Sequence, residues 1–192
     1  MTTITPPLLD SSVLPLPELL SLCLDGQLYR VGDAFAPSGE PDVPELRAHA
    51  LSPTLPGWAI ADRGSAAWVH GTRAMMPPLP QVCIPPHHRG GLGAAGFDAW
   101  HRSLQPDEVM TVGPISVTTP LRTAIDLLSD PSGFGDAAAL EIRHLLALAE
   151  LTPAQLDAAL RSRRRKGCAL ARSRLPAVAR TRLPAPDAVR AA

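Results

Sequence analysis

A chain of 192 residues with 45% hydrophobic and 19% charged side chains can bury about 70% of the surface its unfolded form exposes, which excludes wholesale disorder. Its 22 prolines cut the chain into short pieces and exclude long helices from much of it. The formal charge is zero, with 18 basic and 18 acidic side chains, which excludes a nucleic-acid binder of bulk basicity. Met1 to Asp10 has no basic stretch followed by an apolar one, and no apolar run approaches the ~18 residues of a bilayer span. The expectation is a cytoplasmic protein with no membrane partner.

The first element, Pro17 to Leu24, is a short apolar helix that stops at Asp25-Gly26. Gln27 to Val31 and Asp33 to Ala36 alternate apolar and polar residues around Gly32, the pattern of a tight hairpin. A helix followed by such a hairpin fits the end of a winged-helix module, and fits many other small α+β pieces equally. Pro37 to Pro41 reads as a linker. Asp42 then caps a helix with Pro44 in its first turn, ending before Pro53. Trp58 to Ala61 is a short strand, and Asp62 caps a helix from Arg63 to His70 that Gly71 stops. Gln81 to Ile84, Phe97 to Leu104, Glu108 to Val112 and Pro114 to Thr118 are further strands of an antiparallel or mixed sheet.

Thr119-Pro120 is the best helix start in the chain, since threonine accepts from first-turn amides and proline fills a position whose amide needs no partner. Leu121, Ala124, Ile125 and Leu128 share one face of that helix, and Arg122 and Asp126 stand at i and i+4. Asp136 to Glu150 forms a second helix with Leu140, Leu145, Leu146 and Leu148 as its apolar stripe. Thr152 and Gln155 make a capping box that opens a third helix through Leu156 and Leu160 into an arginine run.

The zero net charge divides unevenly. Residues 1–160 hold 8 basic and 17 acidic side chains, a net −9, and residues 161–192 hold 10 basic and 1 acidic, a net +9. Such an acidic body with a basic tail suggests that the tail meets an anionic partner. Arg161, Arg163, Arg164, Arg165, Lys166, Arg172 and Arg174 form a candidate DNA-binding segment, whose contact with phosphates releases counterions and reads no sequence. The alternative is a solvated, partly disordered end.

Candidate catalytic groups do not assemble. Ser65 lacks the flanks of a nucleophile elbow. Cys83 with His87 and His88 offers soft ligands but too few for zinc, and Cys23, Cys83 and Cys168 form no Cys-x-x-Cys pair. No phosphate-cradling glycine motif occurs. The expectation is no catalytic residue, no metal and no cofactor. Arg122 and Asp126 read as a helix-surface pair worth a few tenths of a kcal/mol, or, where partly buried, as an anchor to carbonyls of the adjacent strand.

Three blocks in order, residues 25–35 (DGQLYRVGDAF), 63–71 (RGSAAWVHG) and 117–127 (VTTPLRTAIDL), resemble the AbiEi family of antitoxins in its actinobacterial form, over roughly residues 16–160. The resemblance implies an α+β chain. Residues 1–37 would be a partial winged-helix-like segment, residues 42–160 a mixed α/β domain with a small sheet and C-terminal helices, and residues 161–192 a basic Arg-rich tail. It implies an autoregulatory, DNA-binding antitoxin opposing a nucleotidyltransferase-like toxin. Leu28, Tyr29, Arg30, Val31 and Gly32 would belong to the wing. Ser65, Trp68, Gly71, Thr119, Pro120, Arg122 and Asp126 would be structural signature positions. Only 26 residues precede Gln27, fewer than the family's winged helix places before its wing, so a shortened module is expected. Relatives of this likeness occur fused to a very-short-patch-repair-like nuclease, but residues 161–192 hold a single carboxylate, Asp187, too few for a metal-dependent centre. An orphan nucleic-acid-binding module and an inactive nuclease remnant remain as other readings.

Overall fold

The computed structural model describes residues 8–86, 96–162 and 167–184. Helix α1 (Leu16–Leu24) begins with proline in its first turn, and Gly26 at φ +71° turns the chain out of it. Strands β1 (Leu28–Val31) and β2 (Ala34–Pro37) pair antiparallel. Gly32, at φ +62°, supplies the left-handed backbone that a two-residue hairpin turn requires. Leu19, Leu28 and Phe35 form a small core here, which Leu9 closes by exchanging both backbone hydrogen bonds with Phe35 at 2.8 Å. One helix precedes the hairpin among the described residues.

Helix α2 (Pro44–Leu51) leads to the body. There β3 (Ile60–Ala61), β4 (Gln81–Ile84), β5 (Asp98–His101), β6 (Val109–Val112) and β7 (Ile115–Thr118) form one sheet in the order β5-β4-β3-β7-β6. The sheet is mixed: β3 runs parallel to β7 and antiparallel to β4, while β4 and β5 are parallel. Helix α3 (Arg63–Val69) leaves the end of β3, and α4 (Pro120–Ser129) leaves the end of β7. Because those two strands are parallel neighbours, both helices start at the same end of the sheet. Helices α5 (Asp136–Leu148), α6 (Pro153–Ser162) and α7 (Cys168–Arg180) follow. The architecture is α+β with a small sheet and C-terminal helices, as expected.

Two cores hold the body. One joins Val31, Leu46, Leu51, Trp68, Val69 and Val117, so the hairpin, α2, α3 and the sheet share it. The other joins α4 through α7, with Leu128, Ile142, Leu145, Leu146, Leu156 and Val178 fully buried. No helix among the described residues is long and apolar enough to cross a membrane.

Several local expectations change. Asp42 does not cap α2; its carboxylate takes two hydrogen bonds of 2.6 Å from Arg47, because a guanidinium is a stronger donor than a first-turn amide. The stripe of α5 is Ala139, Ile142, Leu145 and Leu146, and Leu148 is exposed, since α6 and α7 approach only one side. Residues 168–180, within the segment read as a DNA-binding tail or else a solvated basic end, form α7 and bury Ala171, Leu175 and Val178 against α4 and α5. Helical spacing of these three residues is hidden in sequence by the surrounding arginines and by Pro176 inside the helix.

Candidate functional site

The three sequence blocks meet in space. In the hairpin turn, Gly32 lies so close to Trp68 that a Cβ there would stand 3.3 Å from the indole ring. In the first hairpin Leu28 and Val31 are buried, Tyr29 donates its hydroxyl to the Glu40 carbonyl at 3.0 Å, and Arg30 is exposed beside Asp33 at 3.2 Å. Trp68 is buried, with the Arg47 guanidinium 5.5 Å from its centroid. Arg47 also donates to the carbonyls of Trp68 and Arg73 at 2.8 and 3.0 Å, tying α2 to the end of α3. Gly71, at φ +80°, ends that turn where a side chain would be strained.

Across the sheet edge, α3 and β4 cap each other. The Gly64 amide donates to Gln81 Oε1 at 2.7 Å, and the Gln81 amide donates to Ser65 Oγ at 2.8 Å. Asp62 was expected to cap α3 and does not; Arg63 Nε holds its Oδ1 at 3.0 Å instead. His70 Nε2 donates to the Thr118 carbonyl at 2.8 Å, joining the second block to the third, and burial holds its ring below the ordinary histidine value. Thr119 accepts the Arg122 amide and Pro120 occupies the first turn of α4, as the helix-start reading required.

From this frame projects a chain of buried and half-buried charges. Arg63 donates Nη1 to Asp98 Oδ2 at 2.6 Å and Nη2 to the Asp98 carbonyl at 2.8 Å. Arg63 and Arg102 each stack on Trp100, 4.1 and 4.4 Å from its centroid. Arg102 bonds Asp126, Arg122 grips Asp126 through Nε and Nη2 at 2.9 and 2.8 Å, and Arg122 Nη1 reaches Glu108 at 3.2 Å. Arg122 and Asp126 are thus buried. The expected surface pair, or anchor to strand carbonyls, is corrected to a carboxylate-to-carboxylate bridge, which arises because α4 lays this face on the sheet.

The network is unbalanced. Among the described residues four carboxylates, Asp62, Asp98, Glu108 and Asp126, face three guanidiniums, Arg63, Arg102 and Arg122. Asp62 Oδ2 is buried without a hydrogen-bond partner. Burial, with Asp126 adding to it, pushes the Asp62 carboxyl up to about 7. Arg63 itself stands at φ +44°, a left-handed conformation that costs a non-glycine residue about 1–2 kcal/mol and that its four tethers hold in place. The Cys83 thiol, pushed up to about 11 by burial and the neighbouring carboxylates, is neutral and donates toward the Arg102 carbonyl at 3.6 Å.

Of these groups Asp98, Trp100 and Arg102 were not singled out in sequence, although Asp98 and Trp100 alternate on β5 and Arg102 follows its end. Glu108 was legible only as a strand start. The basic segment divides. Arg161 pairs with Asp157, and Arg172 lies 4.0 Å from the same carboxylate. Arg174 is engaged inward, donating to the carbonyls of Leu128, Asp130 and Ser132 and stacking 5.0 Å from Phe134. Arg163, Arg164, Arg165 and Lys166, like His87, His88 and Asp187, lie outside the described residues. No group of His, Cys, Asp or Glu suited to a metal occurs among the described residues.

The family model of the AbiEi antitoxin C-terminal domain matches residues 59–177, a span that runs from just before β3 into α7 and contains the whole ionic network. No curated protein matches the chain. The solved structure of the RV2827C protein from Mycobacterium tuberculosis is similar at 17% identity, covering 90% of this chain and 72% of its own, with a TM-score of 0.49. By the match across most of its length, this chain belongs to the AbiEi antitoxin family.

Proposed function

We propose that the chain is a non-enzymatic cytoplasmic antitoxin and transcriptional autoregulator that opposes a nucleotidyltransferase-like toxin encoded nearby. The family match over residues 59–177 carries the reading. A binding role is supported by the network itself: each guanidinium is held by carboxylates, and the neighbouring thiol and imidazole are buried and neutral in character. Such a set braces a surface and leaves no free nucleophile–base pair of the kind acyl or phosphoryl transfer uses. Co-expression with the adjacent toxin gene is the test: growth is restored by the wild-type chain, and an unrelieved growth defect with soluble protein present sinks the proposal.

DNA contact is proposed to run through the C-terminal helices rather than the hairpin. Residues 8–51 hold 7 acidic and 2 basic side chains, so the hairpin unit repels phosphate. By contrast Arg161, Arg172, Arg180 and Arg182 are exposed on and after α6 and α7. A gel shift of the chain's own promoter that weakens steeply with salt and with Arg161→Gln/Arg172→Gln is expected; binding indifferent to both changes refutes this placement.

A further inference from the structure

Two exposed arginines from different helices converge on one carboxylate. Arg161 of α6 donates Nε to Asp157 Oδ2 at 2.9 Å and a second N–H, from Nη2, to the same oxygen. Arg172 of α7 brings its Nε to 4.0 Å from Asp157 Oδ1. The arginine side chains are 64% and 54% exposed and Asp157 is 27% exposed, so the guanidiniums face solvent and the carboxylate is the covered partner. All three line an open groove of about 450 Å³ between α6 and α7, along with Leu175, Pro176 and Ala179.

The fold does not depend on this pairing. An exposed i, i+4 pair adds little to stability, and α6 is already fastened by Leu156 and Leu160 in the core and by the Thr152–Gln155 box. Hydrogen bonds from Arg161 hold the Asp157 carboxyl below its ordinary value, which keeps it ionised near neutral pH. Its consequence lies in the surface charge: residues 161–182 hold nine cations and no carboxylate, and Asp157 sets a fixed negative charge against two of them. Resting on the reading that DNA meets the chain along α6 and α7, we infer that Asp157 stands where a DNA backbone phosphate binds, so that Arg161 and Arg172 release it to grip the phosphate. A guanidinium offers carboxylate and phosphate the same fork of N–H donors, so the two anions compete for one place. Asp157 thereby holds DNA affinity below what the arginines alone would give.

Fluorescence anisotropy of the full chain on its own promoter duplex, at one fixed low salt concentration, tests this. Asp157→Asn should tighten binding about fivefold, the worth in water of one unit charge about 4 Å away. The gain should be equal on a scrambled duplex, since phosphate contacts read no sequence. In an Arg161→Gln/Arg172→Gln background the same substitution should gain nothing. Asp136→Asn neutralises an exposed acid of α5 outside the groove lining and should gain less than about twofold, because salt screens a charge at a distance. Far-UV dichroism verifies that each variant folds. Unchanged or weaker binding by Asp157→Asn overturns the inference and leaves DNA contact standing, weaker binding being the sign that Asp157 orients the arginines. A gain that persists without the two arginines, or that Asp136→Asn matches, also overturns it, as an effect of net charge alone. Binding by neither wild type nor Asp157→Asn sinks the DNA contact itself and this inference with it.

Discussion

Arg122 holds Asp126 by two parallel hydrogen bonds, Nε to Oδ2 at 2.9 Å and Nη2 to Oδ1 at 2.8 Å, with both side chains buried between α4 and the sheet. The same spacing on an exposed helix is worth only a few tenths of a kcal/mol. Burial changes what removal does. Arg122→Met leaves Asp126 without its two-bond partner and removes one guanidinium from Glu108, which should cost about 3–5 kcal/mol by the usual penalty for breaking a buried charge pair. Urea unfolding measures it; a loss below about 0.5 kcal/mol is what an exposed pair would give.

Asp62 sets a pH dependence. Its folded value of about 7 lies above the ordinary 3.8, so between these values the folded state holds a proton that the unfolded state has released. Its contribution is therefore complete below pH 3.8 and is lost as pH rises to 7, a span of about three units or roughly 4 kcal/mol. Asp62→Asn should flatten stability over that range and leave the variant more stable than wild type at pH 8. Buried His70, held below its ordinary value, acts in the opposite sense, losing stability as pH falls below about 6.5. Only the difference between wild type and variant isolates Asp62; parallel pH profiles for the two would exclude its titration.

Gly32 combines a left-handed φ with a ring 3.3 Å from where a Cβ would sit. Gly32→Ala should destabilise by about 1–3 kcal/mol, the backbone and overpacking costs acting together. Gly26 has a similar φ, +71°, but open space around it, so Gly26→Ala should cost about 1 kcal/mol from the backbone alone. Thermal melts of both separate the steric part from the conformational part; equal losses would show that the Trp68 contact carries no weight.

Arg172 and Arg174 should part company. Arg174→Gln removes donors from three carbonyls, two part-buried and one exposed, and is expected to cost about 1–2 kcal/mol, the usual range for lost hydrogen bonds to a charged group. Arg172→Gln, exposed beside Asp157, should change stability by less than about 0.5 kcal/mol. Paired unfolding curves decide it.

Thr152 accepts the Gln155 amide at 3.3 Å while Gln155 Oε1 accepts the Thr152 amide at 2.8 Å. Thr152→Ala should cost about 1 kcal/mol, the typical loss of such a cap, read as a lowered midpoint of thermal unfolding.

Where a structural signal is local, it could be read from neighbouring residues. The Thr152–Gln155 box, the hairpin around Gly32 and the Thr119-Pro120 helix start depend on contacts within a few positions, and all three stand as expected. Asp42 and Asp62 passed the same local test and failed, because Arg47 and Arg63 offered their carboxylates charged donors. The amide that Asp62 would have capped is satisfied by Gln81, 17 positions away from Gly64. No window of helical length contains that partner.

The amino-acid sequence by itself determined the order of short elements, the turns at Gly26, Gly32 and Gly71, and the family to which the three blocks point. Tertiary structure decided which charges are buried. Asp98 and Trp100 share a face of β5 and Arg102 follows it, yet only the packing of α3 and α4 brings Arg63, Asp126 and Arg122 to them. It also decided that Arg174 turns inward while Arg172 faces solvent. Desolvation is the reason: a charge's worth depends on what covers it, and the cover here comes from residues dozens of positions away in the chain.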